Sequence, residues 1–280
     1  MFLASMKRQV LLVCAAFCSS LLQAEDWQKE VVFRATFDGS LDARVAEGDP
    51  KLYHAASYKD EASVTPGLEG TDVRHARGEG RVGDALHFTR KNTKAVFFKA
   101  QGNVPFDPNG WSGTISFWLK LDPDRDLEPG WCDPLQLTDK AYNDSAIWVD
   151  FTKDDKPRQF RLGVFGALKA WDPMNKGSDG NPVFDGRLVR VVRPPFTREK
   201  WTHVAITLNR IGRGAGAAEL YLNGKSQGAA RNILEPFQWD VGKASIRLGL
   251  DYVGYLDDLA IFRRQLTATE VEALASARDW

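Results

Sequence analysis

The chain has 280 residues, 43% of them hydrophobic and 26% charged, and its 37 basic and 37 acidic residues cancel. That balance lacks the surplus of positive charge that draws proteins to nucleic acid. The length is ample for one hydrophobic core.

Lys7 and Arg8 precede an apolar run from Val10 to Phe17, which is followed by SSLLQA and the acidic ED. A charged start, an apolar stretch too short to cross a bilayer and a small-residue site at Ala24 predict a signal peptide over 1–24. The expected destination is therefore secreted or periplasmic. Cys14 and Cys18 leave with this segment, and Val13 and Phe17 are too bulky to precede a lipidated cysteine. The remainder carries 35 basic and 37 acidic residues and no apolar run of spanning length. Neither a nucleic-acid partner nor a membrane span is expected. Cys132 remains without a partner for a disulfide and reads as a buried, inert thiol.

From residue 31 onward, short segments rich in β-branched and aromatic residues recur between turn residues. Strands are predicted at 30–37, 84–89, 94–99, 113–121, 134–138 and 145–152. Others are predicted at 158–165, 187–192, 201–210, 218–223, 244–250 and 254–262. Between 166 and 186 lies a loop rich in Gly, Pro, Asp and Asn, long enough to suggest a function. Asn223-Gly224 in LYLNGKSQG is the signature of a type I′ hairpin turn. Only the end reads as helix: Thr267 as N-cap and Glu270 three residues on form a capping box, with Val271, Leu274 and Ala275 on one face. Short strands without alternating helices predict an all-β fold: a two-sheet antiparallel jelly-roll sandwich with one short C-terminal helix, a single domain over 25–280.

Several segments in order resemble laminin-G-like, concanavalin-A-like jelly-roll domains. They are FRATFDGSLDA, GRVGDALHF, WSGTISFWLKL, WTHVAITLNR with AELYLNGKSQG, and VGYLDDLAIFRRQLTATEV. The resemblance implies the sandwich but no single function, because the fold carries lectins, adhesion modules, glycosidases and lyases. It also implies a structural Ca²⁺, with Asp257 of the closing element joined by oxygens of the opening turn at Asp38 and Gly39. The alternative is that Asp257 accepts backbone N–H groups without a metal, and Asp258 is expected on the outer, solvated side. The stretch 122–200 is longer than the usual link between these motifs, so any special function is expected there.

The acids of DPDRDLEPGWCD, residues 122–133, approach the spacing of a calcium loop but lack its glycine, and read as a solvated turn. Hydrolysis of glycosides needs paired carboxyl groups, and the isolated strand acids Asp150 and Glu219 show no partner at useful spacing. His203 reads as a packed sheet histidine, and the four histidines are too dispersed for zinc. No catalytic residue is assigned. Aromatics beside polar residues remain: KAYNDSAIWVD and LKAWDPMNKGSDGN place Tyr142, Asn143, Trp148, Trp171 and Asp172 in a pattern suited to sugar rings and hydroxyls. The expectation is an exported, non-catalytic domain that binds polysaccharide or a glycoconjugate. The alternatives are a hydrolase or lyase on the same fold, and a structural or adhesive module.

Overall fold

Side chains alternate between the two faces of a strand, so segments with one apolar face must pair that face with another sheet. The computed structural model describes residues 27–58, 64–70, 72–92, 94–278 and 280. The expected signal peptide lies outside them. Along the chain the strands are β1 (Val31–Ala35), β2 (Val45–Ala46), β3 (Tyr53–Ala55), β4 (Thr65–Pro66), β5 (Val73–Ala76) and β6 (Ala85–Phe88). There follow β7 (Ala95–Lys99), β8 (Trp111–Lys120), β9 (Cys132–Thr138), β10 (Ala146–Phe151), β11 (Phe160–Phe165) and β12 (Leu188–Val191). The last are β13 (Thr202–Ile211), β14 (Gly216–Leu222), β15 (Lys225–Ile233), β16 (Ser245–Leu250) and β17 (Gly254–Phe262).

One sheet runs β15-β14-β13-β8-β17-β1-β2, with β6 and β5 attached to β17, and the other runs β12-β11-β10-β9-β16-β7-β3-β4. The pairings are antiparallel, and the inner faces enclose a core that includes Phe33, Phe88, Phe98, Phe117, Phe151 and Phe160. Every segment predicted as a strand forms one. Strands that the pattern missed are β2 to β5, too short to show a period, and β15, an edge strand whose side chains are mostly exposed.

The closing helix, Ala268–Ser276, is capped by Thr267 and Glu270 as expected and buries Val271 and Leu274. It packs on the outside of the nine-stranded sheet with Trp27, Ala205, Tyr221 and Phe262. Asn223 and Gly224 both take positive φ in the two-residue turn between β14 and β15. A Cβ on Gly224 would stand 3.0 Å from the Cα of Glu272, so the hairpin tip rests against this helix. Three one-turn helices were not anticipated: α1 (Pro123–Asp126), α2 (Leu168–Trp171) and α3 (Pro182–Asp185), which makes the C-terminal helix α4. All three lie in the 122–200 stretch, which also supplies β9 to β12. The long link thus builds half of the eight-stranded sheet.

The two acids of the closing strand owe their position to a β-bulge. Asp257 pairs with Trp118 and Ala260 with Ser116, leaving two residues opposite one, and Asp258 takes φ 48°. Leu256 and Leu259 therefore enter the core, while both acids stand on the other face. Asp258 is not solvated, as a regular strand would have it; it is 7% exposed and lies 3.6 Å from both Arg34 Nη2 and Arg81 Nη1.

Candidate functional site

On β10, Ile147, Val149 and Phe151 point into the core, so Ala146, Trp148 and Asp150 face away from it. The same alternation turns Gln136 of β9, Arg161 and Gly163 of β11 and Arg247 of β16 to that outer face. Of these, Gln136, Trp148, Asp150, Arg161 and Arg247 floor a groove of ≈ 640 Å³, within the ordinary range of ligand sites. Trp131, the β9–β10 turn at Lys140, Ala141 and Tyr142, and the segment Ser178, Asp179, Gly180 with Phe184 and Asp185 of α3 wall it. Trp131 and Tyr142 stand 48% and 45% exposed, as unusual for large aromatics as it is useful for stacking a sugar face.

The rim is held by indole N–H groups. Trp148 Nε1 donates to the Tyr142 carbonyl (2.7 Å), Trp171 Nε1 to that of Asn143 (2.8 Å) and Trp239 Nε1 to that of Ser145 (2.5 Å). Asp144 accepts from the Leu168 N–H, fastening α2 to the same turn. Gly163 lies beneath Trp148, whose ring would stand 2.3 Å from any Cβ there. Of the residues expected to contact ligand, Tyr142 and Trp148 reach the groove. Trp171 is buried with Phe165, Trp148 and Phe184. Asn143 offers Trp171 its carbonyl, and Asp172 accepts the N–H groups of Lys176 and Gly177, closing the following loop. These three support the wall without lining it.

The polar floor is ordered. Arg161 donates to both oxygens of Asp150, Nε–Oδ1 2.9 Å and Nη2–Oδ2 2.5 Å. Its guanidinium lies 4.3 Å from the ring centre of Trp131 and 5.5 Å from that of Trp148. Arg247 donates to Gln136 Oε1 (2.9 Å), and Gln136 Nε2 to Asp133 Oδ2 (3.0 Å). Asp133 does not belong to a solvated turn, and Asp150 is not isolated. Val149 pairs with Leu135 and Phe151 with Cys132, so Asp133 and Pro134 stand opposite the single residue Asp150. Burial and the neighbouring Asp150 raise Asp133 well above the usual carboxylate range; burial also raises Asp150, and Arg161 opposes it.

The other acids of 122–133 tie the chain together. Asp122 caps α1, Asp124 accepts from the Arg158 N–H, Asp126 pairs with Arg198 and Glu128 accepts from the Lys91 N–H. Cys132 is buried and its thiol is pushed up to about 12, an inert state. His203, fully buried beside Ser116 Oγ at 2.8 Å, is pushed down to about 3 by burial and stays neutral.

Asp38, Gly39 and Asp257 do not make a calcium cage. Asp257 Oδ2 accepts the Arg81 N–H (2.7 Å) and Oδ1 the Asp258 N–H (2.8 Å). Asp38 Oδ1 accepts the Asp84 N–H, while the Gly39 N–H donates to Asp84 Oδ2. Calcium wants six to eight oxygens turned to one point, and here the carboxylates meet N–H groups and two guanidinium ions. Among the described residues no group of three or more His, Cys, Asp or Glu side chains is placed to hold a metal.

A family model described as the concanavalin A-like lectin/glucanases superfamily matches residues 90–272. Among solved structures the chain resembles domain 4 of AbnA, an extracellular arabinanase of Geobacillus stearothermophilus solved with arabinotriose. The two are 18% identical, with 88% of this chain and 98% of that one covered and a TM-score of 0.54. It also resembles the receptor binding domain of botulinum neurotoxin C/D mosaic serotype: 12% identity, 89% of this chain, 51% of that chain, TM-score 0.57. The chain spans about half the length of that toxin domain. At such identities the likeness is one of fold. A search of the curated proteins gave no match.

Proposed function

We propose, for a chain that belongs to the concanavalin A-like lectin/glucanases superfamily, that the groove on the outer face of the eight-stranded sheet binds a carbohydrate chain without cleaving it. The observation that carries this reading is the combination of exposed rings at the rim, Trp131 and Tyr142, with an ordered polar floor of Asp133, Gln136, Asp150, Arg161 and Arg247. Sugar rings offer apolar C–H faces to aromatic surfaces and hydroxyls to carboxylates and guanidinium groups. The floor crosses β16, β9, β10, β11 and, through Arg190, β12. Five strands span about 19 Å at their usual spacing, which suits an oligosaccharide better than a single ring. The arabinanase domain was solved with arabinotriose, so arabino-oligosaccharides are natural first probes.

One observation favours a hydrolase: Asp133 and Asp150 oppose each other across β9 and β10. Glycoside hydrolysis, however, needs carboxyl groups on either side of the bond, one of them available as base or nucleophile. Arg161 occupies both oxygens of Asp150, and the two acids stand on one surface. Binding is therefore the better reading, and release of reducing ends from bound polysaccharide would reverse that preference.

The protein acts after export in this account, residues 1–24 having been removed. N-terminal sequencing of the secreted or periplasmic protein is expected to begin at Glu25. Retention of residues 1–24 would refute export by this signal. The binding itself is tested by calorimetric titration with arabino-, xylo- and cello-oligosaccharides, comparing the wild-type protein with Trp131→Ala.

A further inference from the structure

Asp133 and Asp150 share the groove floor with Arg161, whose guanidinium is committed to Asp150, and with Arg247, which is turned to Gln136. Asp150 has both oxygens held by Arg161, which favours its charged form against burial. Asp133 stands opposite it across the bulge, where facing side chains come within about 5 Å. Among the described residues its carboxyl group accepts a hydrogen bond at Oδ2 from Gln136, and the residue lines the groove. A second anion in that position would meet Asp150 at close range in a partly desolvated site, which like charges resist.

We infer that Asp133 enters the groove as a neutral carboxylic acid whose O–H donates a hydrogen bond to a ring or glycosidic oxygen of the bound sugar, the proton staying on Asp133. The inference rests on the reading of the groove as a saccharide site. An ether oxygen accepts and cannot donate, so it needs a donor; an ionised Asp133 would offer it none. The charged and titratable groups around Asp133 include Asp150 on β10, Arg161 on β11, Arg247 on β16, which reaches it through Gln136, Asp251 after β16 and the neutral thiol of Cys132 on its own strand. Asp251 is itself paired with Lys91 at 3.5 Å. Burial and Asp150 dominate and favour the protonated form, with Gln136 and Arg161 opposing.

Binding should then be pH-dependent. The donor is present while Asp133 is protonated, and affinity falls as the pH rises through its titration. The test has two parts. Carbon-detected NMR of the Asp133 carboxyl group in the ligand-free protein should show it protonated at neutral pH, and Asp150→Asn should make it titrate lower. Titration in the ordinary carboxylate range in the wild-type protein overturns the inference. Calorimetry with arabinotriose, xylotriose and cellotriose should then show the best of them binding at least about tenfold more weakly at about pH 9 than at about pH 5. Asp133→Asn, whose amide donates at every pH, should remove that dependence while still binding. PH-independent binding by the wild-type protein defeats the donor role and leaves the saccharide reading intact. Failure of every trisaccharide at both pH values defeats the saccharide reading, and the donor role with it.

Discussion

Asp257 is a buried carboxyl group held by two backbone N–H groups, and burial together with Asp258 pushes it up to about 8. An acid raised in the fold binds more protons there than in the unfolded chain, so it lowers stability as the pH rises from 3.8 to about 8. His203 works oppositely at lower pH: pushed down to about 3, it is neutral in the fold and charged when unfolded below 6.5. Above pH 6.5 it drops out, and the acid acts unopposed by it. Stability measured by urea unfolding is expected to fall by about 2 kcal/mol between pH 6.5 and 8, and Asp257→Asn to flatten that slope. A wild-type stability that holds steady or rises over this window would contradict the assignment. Because Arg34, Arg81 and backbone N–H groups serve these acids, adding calcium or a chelator should leave the melting temperature unchanged. A clear rise with calcium would restore the metal site.

The β9–β10 hairpin carries the groove, and its turn is held by indoles that the eye takes for ligand contacts. Trp171 is 5% exposed among Trp148, Phe165 and Phe184. Trp171→Ala should therefore cost about 3–5 kcal/mol in urea unfolding, as large core truncations do; a loss below about 1 kcal/mol would return it to the surface. Gly163 leaves room for the Trp148 ring, so Gly163→Ala should displace that indole and weaken saccharide binding, with intact binding as the contrary result. The hairpin also shows where the sequence was readable. Alternation in SAIWVDFT and PLQLT located both strands. Counting register across their turn sets Asp133 near Asp150, but the bulge that aligns them leaves no mark in composition. Trp148 and Trp171 carried the same signal, a tryptophan beside polar residues. Only packing separates the floor from the wall.

At the scale of the whole molecule, the strands came through because each pairs one apolar face with the opposing sheet. The edge strand β15 escaped because its side chains answer to solvent. The long 122–200 stretch was legible as the place of interest since it exceeds what the sandwich needs. What it builds, half a sheet with a groove across it, depends on pairing between segments far apart in the chain, such as β9 with β16. Among the described residues no helix is long and apolar enough to cross a membrane. The central claim, that this groove holds a carbohydrate chain, is tested most directly by titration calorimetry of the wild-type protein and Trp131→Ala against arabino-, xylo- and cello-oligosaccharides. Trp131 is 48% exposed, so its loss should leave the melting temperature nearly unchanged. The account predicts binding by the wild-type protein that weakens at least about tenfold in the variant, the worth of one lost aromatic contact. Binding that survives the substitution undiminished, or a wild-type protein that binds none of these chains, would contradict it.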